Sequence, residues 1–129
     1  MKVLVLSNGE LKEKEINNEL EDLQKIVGGY IEFPYLGEKF RNNIIDVIIN
    51  EEGKFIDGLR PEITIVDNKT GQILDVVYGN CIFASHDAEG NTIALNAEQI
   101  KIVAEELEAV VELMKKDTLE NFEVRALFI

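Results

Sequence analysis

A chain of 129 residues with 46% hydrophobic side chains is long enough for one real core and too apolar for a disordered segment. Its 25 acidic against 13 basic residues leave a net charge of -12, a field that repels nucleic-acid phosphates and anionic lipid, so neither is expected as a partner. No stretch approaches the roughly 20 apolar residues of a membrane span, and Met1 to Ser7 has neither the apolar core nor the cleavage pattern of a signal peptide.

Val3 to Leu6 reads as a short apolar strand stopped by the turn cluster Ser7-Asn8-Gly9. Lys12 to Glu15 alternates in charge and is expected to be solvated. Asn17 or Asn18 can cap a helix whose apolar positions Leu20, Leu23, Ile26 and Val27 share one face. Gly28 then supplies the left-handed residue that ends helices without a Cβ clash. Tyr30 to Tyr35 is β-prone, with Ile31, Phe33 and Tyr35 on one side, and Pro34 argues for a sheet edge because it has no N–H.

Ile44 to Ile49 is a strongly apolar run, and Glu51-Glu52-Gly53 turns the chain toward the extended segment Lys54-Phe55-Ile56. After a loop over Asp57 to Pro61, Ile63 to Val66 is β-prone and Asp67 to Gly71 has hairpin-turn residues. Ile73 to Phe83 is apolar but interrupted at Gly79-Asn80, which predicts a bulge, a bend or two consecutive strands. Asp87 to Asn91 turns into Thr92 to Leu95.

Asn96 with Gln99 three residues on has the pattern of a capping box. The apolar positions Ile100, Val103, Ala104, Leu107, Val110, Val111 and Met114 that follow predict one amphipathic helix of about four to five turns. Phe122 to Ile129 reads as a last strand whose apolar end can pair in the sheet or dock on another subunit. These elements predict a single α+β domain over residues 1–129. Its sheet is mixed and largely antiparallel, with a short N-terminal helix and one long amphipathic helix packed on it.

The ordered segments Gly28-Gly29-Tyr30-Ile31-Glu32, Asn50-Glu51-Glu52-Gly53-Lys54, Leu59-Arg60-Pro61 and Asp75-Val76-Val77-Tyr78-Gly79-Asn80 carry a resemblance. From about residue 1 to residue 107 the chain is similar to a small domain family without established activity, found in phages, plasmids and bacteria that carry them. The resemblance implies the company of mobile-element proteins, many of which counter host defences, some by sequestering cyclic-nucleotide-type signals. That carry-over is by analogy alone. The single cysteine and the lack of a signal peptide or membrane span predict a cytoplasmic setting, which is the host cytoplasm where the gene is phage-borne.

Chemistry is sparse. The lone cysteine, Cys81, excludes an internal disulfide and a multi-cysteine zinc site. The lone histidine, His86, stands in Ser85-His86-Asp87, whose adjacent side chains cannot face one another as a triad on a strand. Cys81 lies five positions before His86 and so points to the opposite face. Asp87 to Thr92 has oxygen ligands at alternate positions, but its glycine falls at position 4 and a distal bidentate glutamate is missing, so a hairpin turn is the better reading than a calcium loop. No metal and no cofactor is expected, and no phosphate-cradling loop or nucleophile elbow is present.

Binding without catalysis is therefore the expectation. In so acidic a chain an anionic ligand needs local guanidinium groups and aromatic faces for a base to stack on. Arg60, Tyr78, Asn80, Phe83, His86 and Arg125 are the candidate ligand-binding residues, although surface ion pairs and core aromatics are their commoner roles. The leading expectation is an anti-defence accessory protein that sequesters a small nucleotide-like signal. The alternative is an acidic inhibitor or adaptor that masks a basic host protein, and a homo-oligomer is expected in either case.

Overall fold

The computed structural model describes residues 1–129 and contains two sheets and three short helices. The chain begins with an antiparallel hairpin, β1 (Lys2–Ser7) and β2 (Glu10–Glu15), joined at Asn8-Gly9. Helix α1 (Leu20–Val27) follows and ends at Gly28, which takes the left-handed conformation (φ 85°). Then come the two-residue strand β3 (Ile31–Glu32), the one-turn helix α2 (Glu38–Asn42) and β4 (Asp46–Asn50). A 3-10 turn at Gly53–Phe55 leads to β5 (Pro61–Val66), β6 (Ile73–Tyr78), β7 (Cys81–His86) and β8 (Thr92–Ile93). Helix α3 (Ala97–Glu106), β9 (Val110–Lys115) and β10 (Glu120–Phe128) complete the fold.

The first sheet has the order β2-β1-β7-β4-β3, with β8 paired to β7, and every pairing is antiparallel. The second has the order β6-β5-β10-β9, antiparallel except for the parallel pair β5–β10. Alternation along the strands sorts the core. Val3, Val5, Ile48, Ile82 and Ala84 face α1 through Leu23 and Val27. Leu4, Leu6, Val47, Cys81 and Phe83 face the other way and join Ile63, Ile65, Val77 and Leu127 of the second sheet, Phe40 of α2, and Ile102, Val103 and Leu107 of α3. The first sheet is thus covered on both faces. No helix is long and apolar enough to cross a membrane.

The α+β class, the mostly antiparallel pairing and the short N-terminal helix agree with the sequence reading, but there are two sheets where one was expected. The Gly79-Asn80 interruption separates β6 from β7 and passes the chain between the sheets. The long amphipathic helix is a correction. Helix α3 ends after Glu106, and Val110, Val111 and Met114 lie on a strand with half-exposed side chains. Adjacent β-branched residues lose side-chain freedom in a helix, and β10 offers this segment a six-residue ladder from Val110↔Arg125 to Lys115↔Glu120. Lys54 to Ile56 is likewise a 3-10 turn and bend instead of an extended segment. The charged stretch Lys12 to Glu15 is solvated, as expected, yet it belongs to the edge strand β2. The C-terminal strand does not offer a free pairing edge, because β10 lies between β5 and β9.

Candidate functional site

The quoted glycine-bearing segments, far apart in sequence, converge at one corner of the fold. Asn50, at the end of β4, is buried; its Nδ2 donates to the Val27 carbonyl (3.3 Å) and its Oδ1 accepts from the Glu52 amide (2.8 Å). The Glu51 amide donates to the Tyr30 carbonyl at 2.8 Å. Asn80 reaches back to α1, donating from Nδ2 to the Ile26 carbonyl at 2.9 Å. Gly53 is pressed against the end of β6, where a Cβ would stand 2.8 Å from the Tyr78 carbonyl oxygen. Only glycine fits there without moving backbone. Buried amide partners of this kind satisfy main-chain groups that a turn would otherwise strand.

Beside this corner a groove of about 330 Å³ opens between β3 and β4 of the first sheet and β6 of the second. Its base is apolar, from Leu36, Ile49, Ile65 and Val77. Its walls carry three aromatic rings, Tyr35, Phe55 and Tyr78, of which Phe55 is 83% exposed. Its charges are the carboxylates of Glu32, Glu51 and Asp75 and the ammonium of Lys54, which is paired with Asp75. Tyr35 is held in place: its Oη donates to Glu38 Oε1 at 2.6 Å, and the Arg41 guanidinium lies over its ring, 5.8 Å from the centroid. The hydrogen bond to Glu38 is the main reason its phenol pKa is raised.

The six expected ligand-binding residues do not assemble into one site. Tyr78 lines the groove and Asn80 braces the corner behind it. Phe83 is fully buried in edge-to-face contact with Phe40 (6.0 Å between centroids), so it cannot stack on a ligand; this corrects its assignment. Arg60 and Arg125 are spent on the fold. Arg60 pairs with Glu62 (3.0 Å), donates to the Pro61 and Glu123 carbonyls, and covers the Phe122 ring. Arg125 donates to the Gly9 carbonyl (3.0 Å) and the Leu107 carbonyl (2.9 Å). Arg125 thus ties the β1–β2 hairpin directly to the second sheet, and Arg60 holds the buried Glu62 carboxylate, which accepts the Asn8 and Gly9 amides at 2.9 Å each. Burial raises the Glu62 pKa, against the opposing pull of the Gly9 amide, Arg60 and the Asn8 amide.

His86 lies at the far end of β7, half exposed, with Nδ1 2.8 Å from Asp46 Oδ2 on the neighbouring strand. Cys81 is in the core, where burial pushes its thiol pKa up, so it is no nucleophile for that histidine. The Asp87 loop is a hairpin turn: Asp87 Oδ1 accepts the Glu89 amide (3.0 Å) and the Asn91 amide (2.9 Å), and the Asn91 bond is the largest influence lowering its pKa. No group of three His, Cys, Asp or Glu side chains is placed to hold a metal ion. The groove residues Glu32, Tyr35, Glu51, Lys54, Phe55 and Asp75 were not singled out from sequence. The available signal was that five of them, all but Tyr35, sit in or beside the glycine-bearing segments, which a fold requires to lie close only once those segments meet.

Residues 1–108 match a family model described as a domain of unknown function (DUF3846), and the chain belongs to that family. No curated protein and no solved structure matches it. The matched residues contain α1, the Asn50 corner, the Gly53 contact and every residue lining the groove, whereas β9 and β10 lie beyond them.

Proposed function

We propose that this protein acts by binding, without turnover, and that its groove takes a cationic segment of a partner protein. One observation carries this reading: three carboxylates and a single, already paired lysine surround a groove walled by Tyr35, Phe55 and Tyr78. Such a lining attracts arginine or lysine side chains by charge and by ring-face contact, and it repels free phosphate. The net charge of -12 extends the same preference over the whole molecule. In the mobile-element setting that the resemblance implies, the partner is a basic host defence protein that this acidic accessory protein masks. Calorimetric titration with an arginine- and tyrosine-containing peptide tests the reading. Binding should weaken steeply with salt and fall several-fold in Glu51→Gln and Asp75→Asn. Affinity indifferent to salt and to both substitutions overturns it.

The aromatic walls also favour a second reading, sequestration of a small nucleotide-like signal stacked between Tyr35 and Tyr78 with Lys54 near its phosphate. A thermal-shift panel of cyclic and linear nucleotides tests it, followed by recovery of the bound compound after heat denaturation. Recovery intact supports sequestration, conversion points to an enzyme, and no stabilisation across the panel removes the reading.

A further inference from the structure

β6 ends the second sheet, and no strand lies beyond it. The 3-10 turn meets this edge at Tyr78, where Gly53 packs, while Ile73, Leu74 and Asp75 stay exposed. The edge has a compartment on each face. Asp75 and Val77 pair with the core residues Ile65 and Ile63, and they line the groove already described. Val76 pairs with Thr64, and Thr64 with Ala126 of β10. Ala126 shares its face with Val124 and Phe122, the partners of Val111 and Leu113. Val76 and Leu113 therefore stand together on the opposite face of the sheet. With Ile56, Ile73 and Met114 they line a second compartment of about 580 Å³. Lys54, Val76 and Tyr78 line both, so the two compartments meet over β6. Their charges differ. The groove has Glu32, Glu51 and Asp75 against Lys54 alone, whereas the second compartment has Lys54, Lys115 and Lys116 against Asp57 and Asp117. No excess of carboxylate draws a cation to that second face, and the rest of its lining is apolar or aromatic.

We propose, on the footing of the cationic ligand inferred for the groove, that this segment lies extended along β6 and alternates basic with apolar residues. Successive side chains of an added strand point to opposite faces of the sheet. Basic side chains at every second position then meet Glu32, Glu51 and Asp75, and the apolar ones between them cover Ile73, Val76 and Leu113. A second copy of this chain does not supply such a segment. Its one basic–apolar–basic triplet, Lys39-Phe40-Arg41, is wound into α2 with Phe40 in the core. The occupant is thus a segment of a different protein, and its residue order is set by the two faces of one strand.

Calorimetric titration of the full chain with end-blocked peptides tests this. Arg-Leu-Arg-Leu-Arg should bind about tenfold tighter than Arg-Ser-Arg-Ser-Arg, the gain coming from the apolar surface it covers. It should exceed Leu-Leu-Arg-Arg-Arg, which keeps the composition and loses the alternation, by a similar factor. Leu113→Ser, or the more exposed Ile73→Ser if that variant does not fold, should erase the advantage over the serine peptide. Glu51→Gln should weaken every peptide that binds. Three peptides of equal, salt-dependent affinity overturn the alternation and leave the cationic reading of the groove standing, whereas no binding by any of them overturns both. A block peptide as tight as the alternating one, or a leucine advantage that survives the substitution, also overturns the proposal.

Discussion

The two sheets are built from strands of similar length but very different cover. In the first, β1, β7 and β4 are buried on both faces, between α1 on one side and the second sheet with α2 and α3 on the other, and their sequences are near-continuous apolar runs. In the second, β6 and β9 leave Ile73, Leu74, Val110, Val111 and Met114 at the surface. The first sheet holds the molecule together; the second closes one side of the core and supplies a groove wall and an open edge. Stability should therefore depend on the first sheet and partner contact on the second.

The largest expected effect tests that division directly. Phe83→Ala empties the middle of the core and should cost about 3–5 kcal/mol in urea denaturation, whereas Val111→Thr on the exposed strand should change stability by less than about 0.5 kcal/mol. Comparable losses would erase the distinction. Next, Asn50→Ala strands the Val27 carbonyl and the Glu52 amide and should cost about 1–3 kcal/mol. Because it sits at the groove corner, the same variant should also reduce peptide affinity in calorimetry. Asn96→Ala removes the α3 cap, where Asn96 Oδ1 accepts the Gln99 amide at 2.8 Å, and should cost about 1 kcal/mol by thermal melt, with no change in the groove.

The smallest effect is a slope. Glu62 has its folded pKa raised above the ordinary 4.5, so the folded state holds this proton more tightly than the unfolded chain does. The stability this contributes is complete below 4.5 and is lost as pH rises through the raised value. Glu62→Gln, neutral throughout, should flatten the stability–pH curve just above 4.5 in denaturation series, and an unchanged curve would show that the burial of this carboxylate has no titrating consequence.

Local signals survived folding where the chemistry was local. The Asn96–Gln99 box forms as the residues predict, with Gln99 Oε1 accepting the Asn96 amide at 2.9 Å while its Nε2 also ties the helix to the Asn43 carbonyl. Gly28 ends α1 in the left-handed conformation. Helix periodicity misled at Val110 to Met114, because an apolar spacing compatible with a helix was overridden by a ladder to residues 120–125 that no local window contains. The site was legible only as marker segments. Its aromatic and acidic lining needs β4 beside β7 and the Gly53 turn against Tyr78, a meeting created by sheet order. The arginines went the other way: their scarcity suggested a ligand, whereas Arg125 is taken by the hairpin and Arg60 by Glu62 and the main chain of the second sheet.

The position of β10 has a consequence for how the chain reaches this state. The strand inserted between β5 and β9 is made of residues 120–128, and Arg125 grips Gly9 across 116 positions of sequence. During synthesis, then, β5 waits on the ribosome with a bare flank and the hairpin without its clamp until this stretch emerges. Contacts of such long sequence separation make for slow maturation, and the emerging chain depends on speed or on chaperones to keep that flank from capturing a neighbour.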